Sequence, residues 1–145
     1  MTTDHRLLAE RLGYAGLLPF VLGCALVWLL GGYSPEQHAF VVDGLSRYAA
    51  VVIAFLGGIH WGVGFVRGTP SRASLIWGVT AAFLGWVAAL TPAYAGLALH
   101  GAVLIACYVM DRRLYPALGI SNWLTLRFRL SAVAALSCFL AAAGS

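Results

Sequence analysis

One apolar stretch of this chain carries an ionisable ring. Residues 55–65 read FLGGIHWGVGF, so that His60 and Trp61 lie among four glycines. A histidine in hydrocarbon can ligate haem, chlorophyll or a metal, or donate a hydrogen bond to a quinone carbonyl, and a tryptophan can stack on such a cofactor. Alternatively, His60 bonds a backbone carbonyl or a Ser/Thr hydroxyl of a neighbouring helix, and Trp61 packs or anchors at the membrane interface. Both interpretations stay open from the sequence.

His100 is a second candidate cofactor ligand, because two histidines on different helices could hold haem from both sides. His60 lies seven residues before Arg67, and His100 lies eight residues after Pro92. These spacings place the two rings about 10 Å and 12 Å from opposite membrane boundaries. In a hydrocarbon core of about 30 Å their depths differ by about 8 Å. Coaxial haem ligation by this pair is therefore not expected.

The sequence carries no other catalytic or metal-binding pattern. Cys24, Cys107 and Cys138 fall in different apolar stretches without a C-x-x-C pair, so neither a zinc site nor a redox dithiol is predicted. His5 and His38 lie outside those stretches. Five acids in the whole chain leave few groups for an intramembrane enzyme or a proton pump. The sequence requires no cofactor. If one is bound, haem and quinone are the candidates.

The elements that must position these residues are membrane spans. Hydrophobic residues make up 61% of the 145, and the mean hydropathy is +0.88, whereas about half of a soluble domain is apolar. A spanning helix needs roughly 20 apolar residues, and five stretches meet that need: 12–30, 47–66, 73–90, 92–110 and 123–143. We predict one all-α domain over residues 1–145, an integral membrane bundle of five transmembrane helices.

The segments between these spans carry sequence signals for a helix start, for turns and for a loop. The sequence SPEQ at 34–37 predicts a capped helix start, and Gly44 predicts a break between this short helix and the second span. Residues 67–72 and 90–94 are predicted tight turns, and residues 111–123 are a predicted longer loop.

The arginines sort to one side of a five-span bundle. Of the nine basic residues, all arginine, only Arg47 falls on the side opposite the N-terminus. The positive-inside rule then predicts a cytoplasmic (or matrix) N-terminus and a C-terminus outside. Orientation thus accounts for the net charge of +4, and no nucleic-acid partner is inferred. Asp4 and Glu10 argue against a cleavable signal peptide.

Small residues predict which helix faces meet. We place each residue on its helix at 100° per residue. The glycines of the second span then lie on the same side as His60 and Trp61, and the glycines of the third span lie on a narrow arc. The predicted helix-packing residues are Gly57, Gly58, Gly62, Gly64, Gly78 and Gly85. Glycine faces allow close helix approach in a membrane. In the fourth span a polar stripe with His100, Cys107 and Asp111 should face inward.

Asp111 and Arg127 are predicted to form an ion pair. Asp111 ends the fourth span on the cytoplasmic side, and Arg127 lies about one turn into the fifth, so their depths should match. The alternative is that Arg127 extends to the membrane interface on its own.

The chain also resembles a known family. The residues that carry the resemblance are Pro19, Phe20, Tyr48, FLGGIHWG at 55–62, Trp86, Asp111 and LRFRLS at 126–131. They are similar to the family of small membrane proteins typified by transmembrane protein 69, a domain family of unknown function. Ala81 and Ser131 stand where we expect proline and threonine in that family. The resemblance implies a helical bundle in a bacterial or mitochondrial inner membrane, and it implies no activity.

Three classes of function stay open. The first is a non-catalytic accessory or assembly subunit that packs against other membrane helices, in a homo- or hetero-oligomer. The second is a binder of a hydrophobic cofactor, namely quinone, haem or pigment, through His60 and Trp61. The third is a small transporter, although transporters commonly show repeats and broken helices. Because the chain lacks lysine and is rich in Ala, Gly and Leu, we expect a bacterial inner (plasma) membrane.

Overall fold

The structure is a computed structural model that describes residues 2–68 and 70–145, and it is all-α. The helices are α1 (Thr3–Ala15), α2 (Leu18–Leu30), α3 (Pro35–Arg67), α4 (Arg72–Leu90), α5 (Ala93–Leu118) and α6 (Leu124–Gly144), with a 3-10 turn at Ser121–Trp123 before α6. Within the described residues, five helical segments are long and apolar enough to cross a membrane. The first of them is α1 and α2 together. The protein is therefore a multi-pass membrane protein whose surroundings are a lipid bilayer.

A break between α1 and α2 divides the first segment. Pro19, in the first turn of α2, has no N–H to continue the ladder of α1. The chain turns at Gly16 and Leu17, and the carbonyl of Gly16 accepts a hydrogen bond from the Tyr48 hydroxyl at 2.7 Å. An unpaired carbonyl in hydrocarbon would cost several kcal/mol. A side chain of α3 thus satisfies the broken end of α1.

Helix α3 is continuous, so the predicted break at Gly44 is wrong. The start is as predicted, because Ser34 Oγ accepts a hydrogen bond from the Gln37 N–H at 3.4 Å and Pro35 takes the first helical position. A lone glycine costs a helix only about 1 kcal/mol, which tertiary packing overrides. The 33 residues of α3 extend over about 50 Å, well beyond a core of about 30 Å.

Helix α5 is also longer than predicted, and the loop expected at residues 111–123 is largely helical. The helix continues through Pro116 to Leu118 and is capped by Gly119, whose φ of 74° is in the left-handed region. A proline in the last turn removes a single backbone hydrogen bond, so the helix tolerates it there. As a result, Asp111 and Tyr115 lie inside a regular helix and are both buried.

Helix α3 is the centre of the bundle and packs against α2, α4 and α5, whereas α6 packs against α2 and α5. The two long helices α3 and α5 run parallel, and α6 runs antiparallel to α5. The fully buried apolar residues include Val27, Ile53, Leu97, Leu104 and Cys138. Every one of the long helices contributes small or apolar side chains to this core.

The predicted glycine faces require one correction. On α4, Gly78 and Gly85 are buried on the arc that the sequence predicted. On α3, Gly57 and Gly64 are buried, but Gly58 and Gly62 are exposed. No atom of the described chain outside its own helix backbone lies within 4 Å of a Cβ built on either exposed glycine. The buried face of α3 is rotated because it contacts α2 and α5 as well as α4, so that Leu56 turns inward.

Helices α3 and α4 approach most closely where Gly57 meets Gly78. A Cβ built on Gly57 would collide with the carbonyl oxygen of Gly78, and a Cβ built on Gly78 would lie 2.6 Å from Cδ1 of Trp61. Backbone atoms cannot move aside as a flexible side chain can. These two positions therefore require glycine in this packing.

We predict that Gly57→Ala lowers the free energy of unfolding by about 1 to 3 kcal/mol, the usual range for overpacking. The matched control is Gly58→Ala on the same helix, where open space admits the methyl group and alanine is the better helix former. Thermal unfolding in detergent checks both variants. Equal melting temperatures for the two variants would contradict the packing described here.

Candidate functional site

The most polar point of the interior is the carboxylate of Asp111. Its Oδ1 accepts a hydrogen bond from His60 Nε2 at 2.7 Å, and its Oδ2 accepts one from Arg127 Nε at 2.9 Å. The Nη2 atom of Arg127 also lies 2.8 Å from Oδ2. One acid thus bridges a histidine and an arginine from two other helices.

Three helices deliver these side chains to one place. His60 lies near the C-terminal end of α3, Asp111 lies two turns before the end of α5, and Arg127 lies in the first turn of α6. Because α3 and α5 are parallel and α6 is antiparallel, all three positions fall at the same end of the bundle. Tyr115, one turn after Asp111, brings its ring to 5.7 Å from the His60 ring, centroid to centroid.

The three side chains of the cluster are almost fully buried. The exposed fractions are 0% for His60, 1% for Asp111 and 6% for Arg127. Removing a charge from water costs several kcal/mol, and the opposite charge with its hydrogen bonds must offset that cost. The depths estimated from the sequence predict a pair of Asp111 and Arg127, and the structure places these two side chains in contact. His60 is a third member of the cluster that its position in the sequence does not predict.

The imidazole ring of His60 is fully buried. Its Nε2 is taken by Asp111, while its Nδ1 is buried and has no hydrogen-bond partner among the described residues. The partners that the sequence suggested for this histidine were a backbone carbonyl or a hydroxyl, and the actual partner is a carboxylate. A helical-angle argument locates a residue on a face but does not say which helix that face meets.

His100 lies at another level of the bundle. Its Nε2 forms a hydrogen bond with Ser46 Oγ at 3.1 Å, between α5 and α3. Ser46 and His60 are 14 residues apart on α3, a rise of about 21 Å. The two histidines are therefore too far apart along the bundle to hold one haem between them.

Trp61 lies on the outside of the bundle rather than at the buried cluster. Its ring is 36% exposed, and its Nε1 donates to the carbonyl of Leu75 at 2.9 Å. The ring also meets Phe65 edge-on at 5.8 Å between centroids. The hydrogen bond to α4 fixes the indole against the surface between α3 and α4.

Metal-ligating side chains do not gather anywhere in residues 2–68 and 70–145. No group of three His, Cys, Asp or Glu residues there could hold an ion. Cys24, Cys107 and Cys138 are free thiols, the last two of them buried.

Two further long-range polar contacts are not predictable from the sequence. His38 Nε2 donates to the carbonyl of Gly144 at 3.0 Å and so caps the last turn of α6. At the other end, Arg6 Nη2 donates to the carbonyl of Asn122 at 3.3 Å, and its Cζ lies 4.9 Å from the centre of the Trp123 ring. Both contacts join residues more than 100 positions apart, and no local pattern in the sequence signals them.

Comparison with known proteins assigns the chain to a family. The family described as "Protein of unknown function (DUF3429)" matches residues 6–143. The chain belongs to this family. Transmembrane protein 69 of Xenopus tropicalis is 35% identical to it over 85 residues, which are 57% of this chain and 32% of that protein. The chain therefore spans about a third of the length of this relative. No solved structure matches the chain.

This result confirms the resemblance seen in the sequence. The DUF3429 match covers all three residues of the buried cluster, because His60, Asp111 and Arg127 fall within residues 6–143. The family brings no activity with it, so any chemistry must be argued from the side chains themselves.

We predict that Asp111→Asn and Arg127→Gln each lower the free energy of unfolding by about 3 to 5 kcal/mol, because each leaves a buried group without its partner. The double variant should lose less than the sum of the two, and denaturation in detergent measures the whole cycle. Additive losses would show that the two side chains act independently.

An exposed pair on α1 is the control for this cycle. Arg6 Nε lies 3.4 Å from Glu10 Oε1, and the two side chains are 44% and 35% exposed. Removing Glu10 should cost about 1 kcal/mol or less, as is usual for surface pairs. A loss as large as that at Asp111 would mean that burial does not set the strength of these pairs.

Proposed function

We propose that the protein is a non-catalytic accessory or assembly subunit of a membrane, and that it packs against another transmembrane helix along the surface between α3 and α4. The observation that carries this proposal is an open groove of about 450 Å³ on that surface. The residues that line it include Gly57, Gly58, Trp61, Gly78, Phe83 and Trp86.

The groove has the composition of a helix-packing site. Gly58 has open space above it, so a neighbouring backbone can approach it closely. In a bilayer such approach is the main source of helix association, since hydrocarbon offers no hydrophobic drive between helices. Phe83 and Trp86 are 60% and 57% exposed beside it. Aromatic side chains supply large contact areas with little loss of conformational freedom.

The rim of the groove is held in place before any partner arrives. Trp61 is fixed by its hydrogen bond to the carbonyl of Leu75, and its ring contacts Gly78 at the base of the groove. A preformed surface loses less entropy on binding than a mobile one. This favours stable association over a transient contact.

The buried cluster supports a structural role as well. Asp111 accepts a hydrogen bond from His60 and another from Arg127, and thereby joins α3, α5 and α6. Binding of quinone, haem or pigment at His60 is less well supported, because the ring is fully buried and its Nε2 is already bonded.

The proposed orientation is a cytoplasmic N-terminus in a bacterial inner membrane. With five spans, Arg67 and Arg72 lie on the same side as the N-terminus, and only Arg47 lies on the other. An excess of arginine marks the cytoplasmic side. The Asp111 cluster is then near the cytoplasmic surface, and the N-terminal end of α3 is outside.

We predict that a reporter enzyme that is active only in the cytoplasm works when inserted in the turn at 67–72 and is silent when fused after Ser145. The reason is that the side of the membrane with the excess of arginine is cytoplasmic. The measurement is reporter activity divided by the amount of fusion protein. An active fusion after Ser145 would overturn the orientation.

A second prediction tests the packing surface. A photoreactive phenylalanine analogue at Phe83 should crosslink to a membrane helix in intact cells, and Gly58→Leu should abolish the crosslink by filling the groove. Position Leu136 is the control, because it is 59% exposed on α6, away from the groove. Mass spectrometry of the product distinguishes a different protein from a second copy of this chain. Equal crosslinking from both positions, insensitive to Gly58→Leu, would contradict the proposal.

A further inference from the structure

A second cavity lies on the other side of α3, bounded by α1, α2 and α6. Its volume is about 710 Å³, within the range of roughly 300 to 1,000 Å³ that small-molecule sites occupy. Its walls are mostly apolar, with Phe20, Val52 and Leu104 among them. Exposed side chains such as Leu12 and Phe55 border it, so it opens onto the bilayer. A ligand from the membrane could enter without passing through water.

A polar patch interrupts this apolar wall. Tyr115, Arg127 and Ser131 line the cavity next to the buried carboxylate of Asp111. Ser131 lies one helical turn after Arg127 on α6 and therefore shares its face. The cavity thus combines a mostly apolar wall with a small polar patch.

Ser131 carries the argument for a ligand. Its side chain is 4% exposed, and its hydroxyl has no hydrogen-bond partner in the described part of the chain. Leaving such a group unpaired costs about 1 to 3 kcal/mol, and buried polar atoms are almost always paired. A ligand atom in the cavity would supply the missing partner.

The hydrogen-bonding groups of the polar patch indicate which head group a ligand should have. An arginine has five N–H donors, and only Nε and Nη2 of Arg127 lie against Asp111. Arg127 carries donors only, and the Ser131 hydroxyl can donate as well as accept, so an acceptor atom on the ligand suits both side chains. The charge of Arg127 is already matched by Asp111, so the head should be neutral. A carbonyl oxygen meets both conditions.

We propose that this cavity binds a neutral prenyl lipid of the quinone class, with a carbonyl oxygen of its head accepting a hydrogen bond from Ser131 Oγ and its chain along the wall of α3. Tyr115 borders the head, and Val52 borders the chain. The site is separate from the groove between α3 and α4, and it does not use His60 or Trp61 as ligands. It is independent of the proposed subunit role.

The test is binding of tritiated ubiquinone-2 to the purified full chain in detergent, measured by scintillation proximity. We expect saturable binding that Ser131→Ala weakens about 3- to 10-fold, the value of one hydrogen bond. Ser131→Thr keeps the hydroxyl and should retain binding. Ser137→Ala is the matched control, because Ser137 is also buried on α6 but does not line the cavity.

Two further arms sharpen the result. Val52→Trp should fill the cavity and abolish binding; if that variant does not fold, the comparison of the serine variants decides. Gly58→Leu lies in the other groove and should leave binding unchanged, which separates this site from the proposed packing surface. Unsaturable uptake, or equal binding by Ser131→Ala and Ser137→Ala, would overturn the proposal and indicate non-specific lipid contact. Displacement by oleate as effective as that by unlabelled ubiquinone-2 would overturn the neutral head group.

Discussion

The bundle depends on a single carboxylate that is shared between two basic partners in a medium without water. Asp111 accepts hydrogen bonds from His60 and from Arg127, and each oxygen serves one partner. In hydrocarbon each of these groups is costly alone, so they are stable only together. The requirement fixes the depth and rotation of α3, α5 and α6 at the same time. Apolar packing between these helices could slide by a turn, whereas this contact could not.

Glycine sets the remaining geometry on the neighbouring face of α3, where this helix meets α4. Where Gly57 meets Gly78, the backbones of α3 and α4 are in direct contact, with no side chains between them. Close backbone contact of this kind is a common way for helices to associate in lipid. One face of α3 is thus fixed by charge and another by the absence of side chains. Between them, the helix has little freedom to rotate.

The sequence predicted the spans well and their neighbours only in part. Hydropathy and length located five spans because lipid requires long apolar helices. The depths of Asp111 and Arg127 in the membrane can be estimated from the ends of their spans, so the sequence predicts that these two residues pair. The partnership of His60 with Asp111 was not, since it depends on which two helices are adjacent. The break predicted at Gly44 and the loop predicted at residues 111–123 are helical in the structure, because local signals give way when the flanking residues are packed. The cavity beside Ser131 is lined by residues of α1, α2, α3, α5 and α6, and it has no local sequence signal.

The contact between Tyr48 and the Gly16 carbonyl has a consequence for biogenesis. The first segment enters the membrane with a break beside Pro19, and a hydroxyl from α3 donates a hydrogen bond to the Gly16 carbonyl at that break. Until α3 is present, that carbonyl can find a partner only in water or in the insertion machinery. We expect the first two segments to leave the translocon as a paired hairpin rather than one at a time. The helix that is synthesised first is completed by the one that follows it.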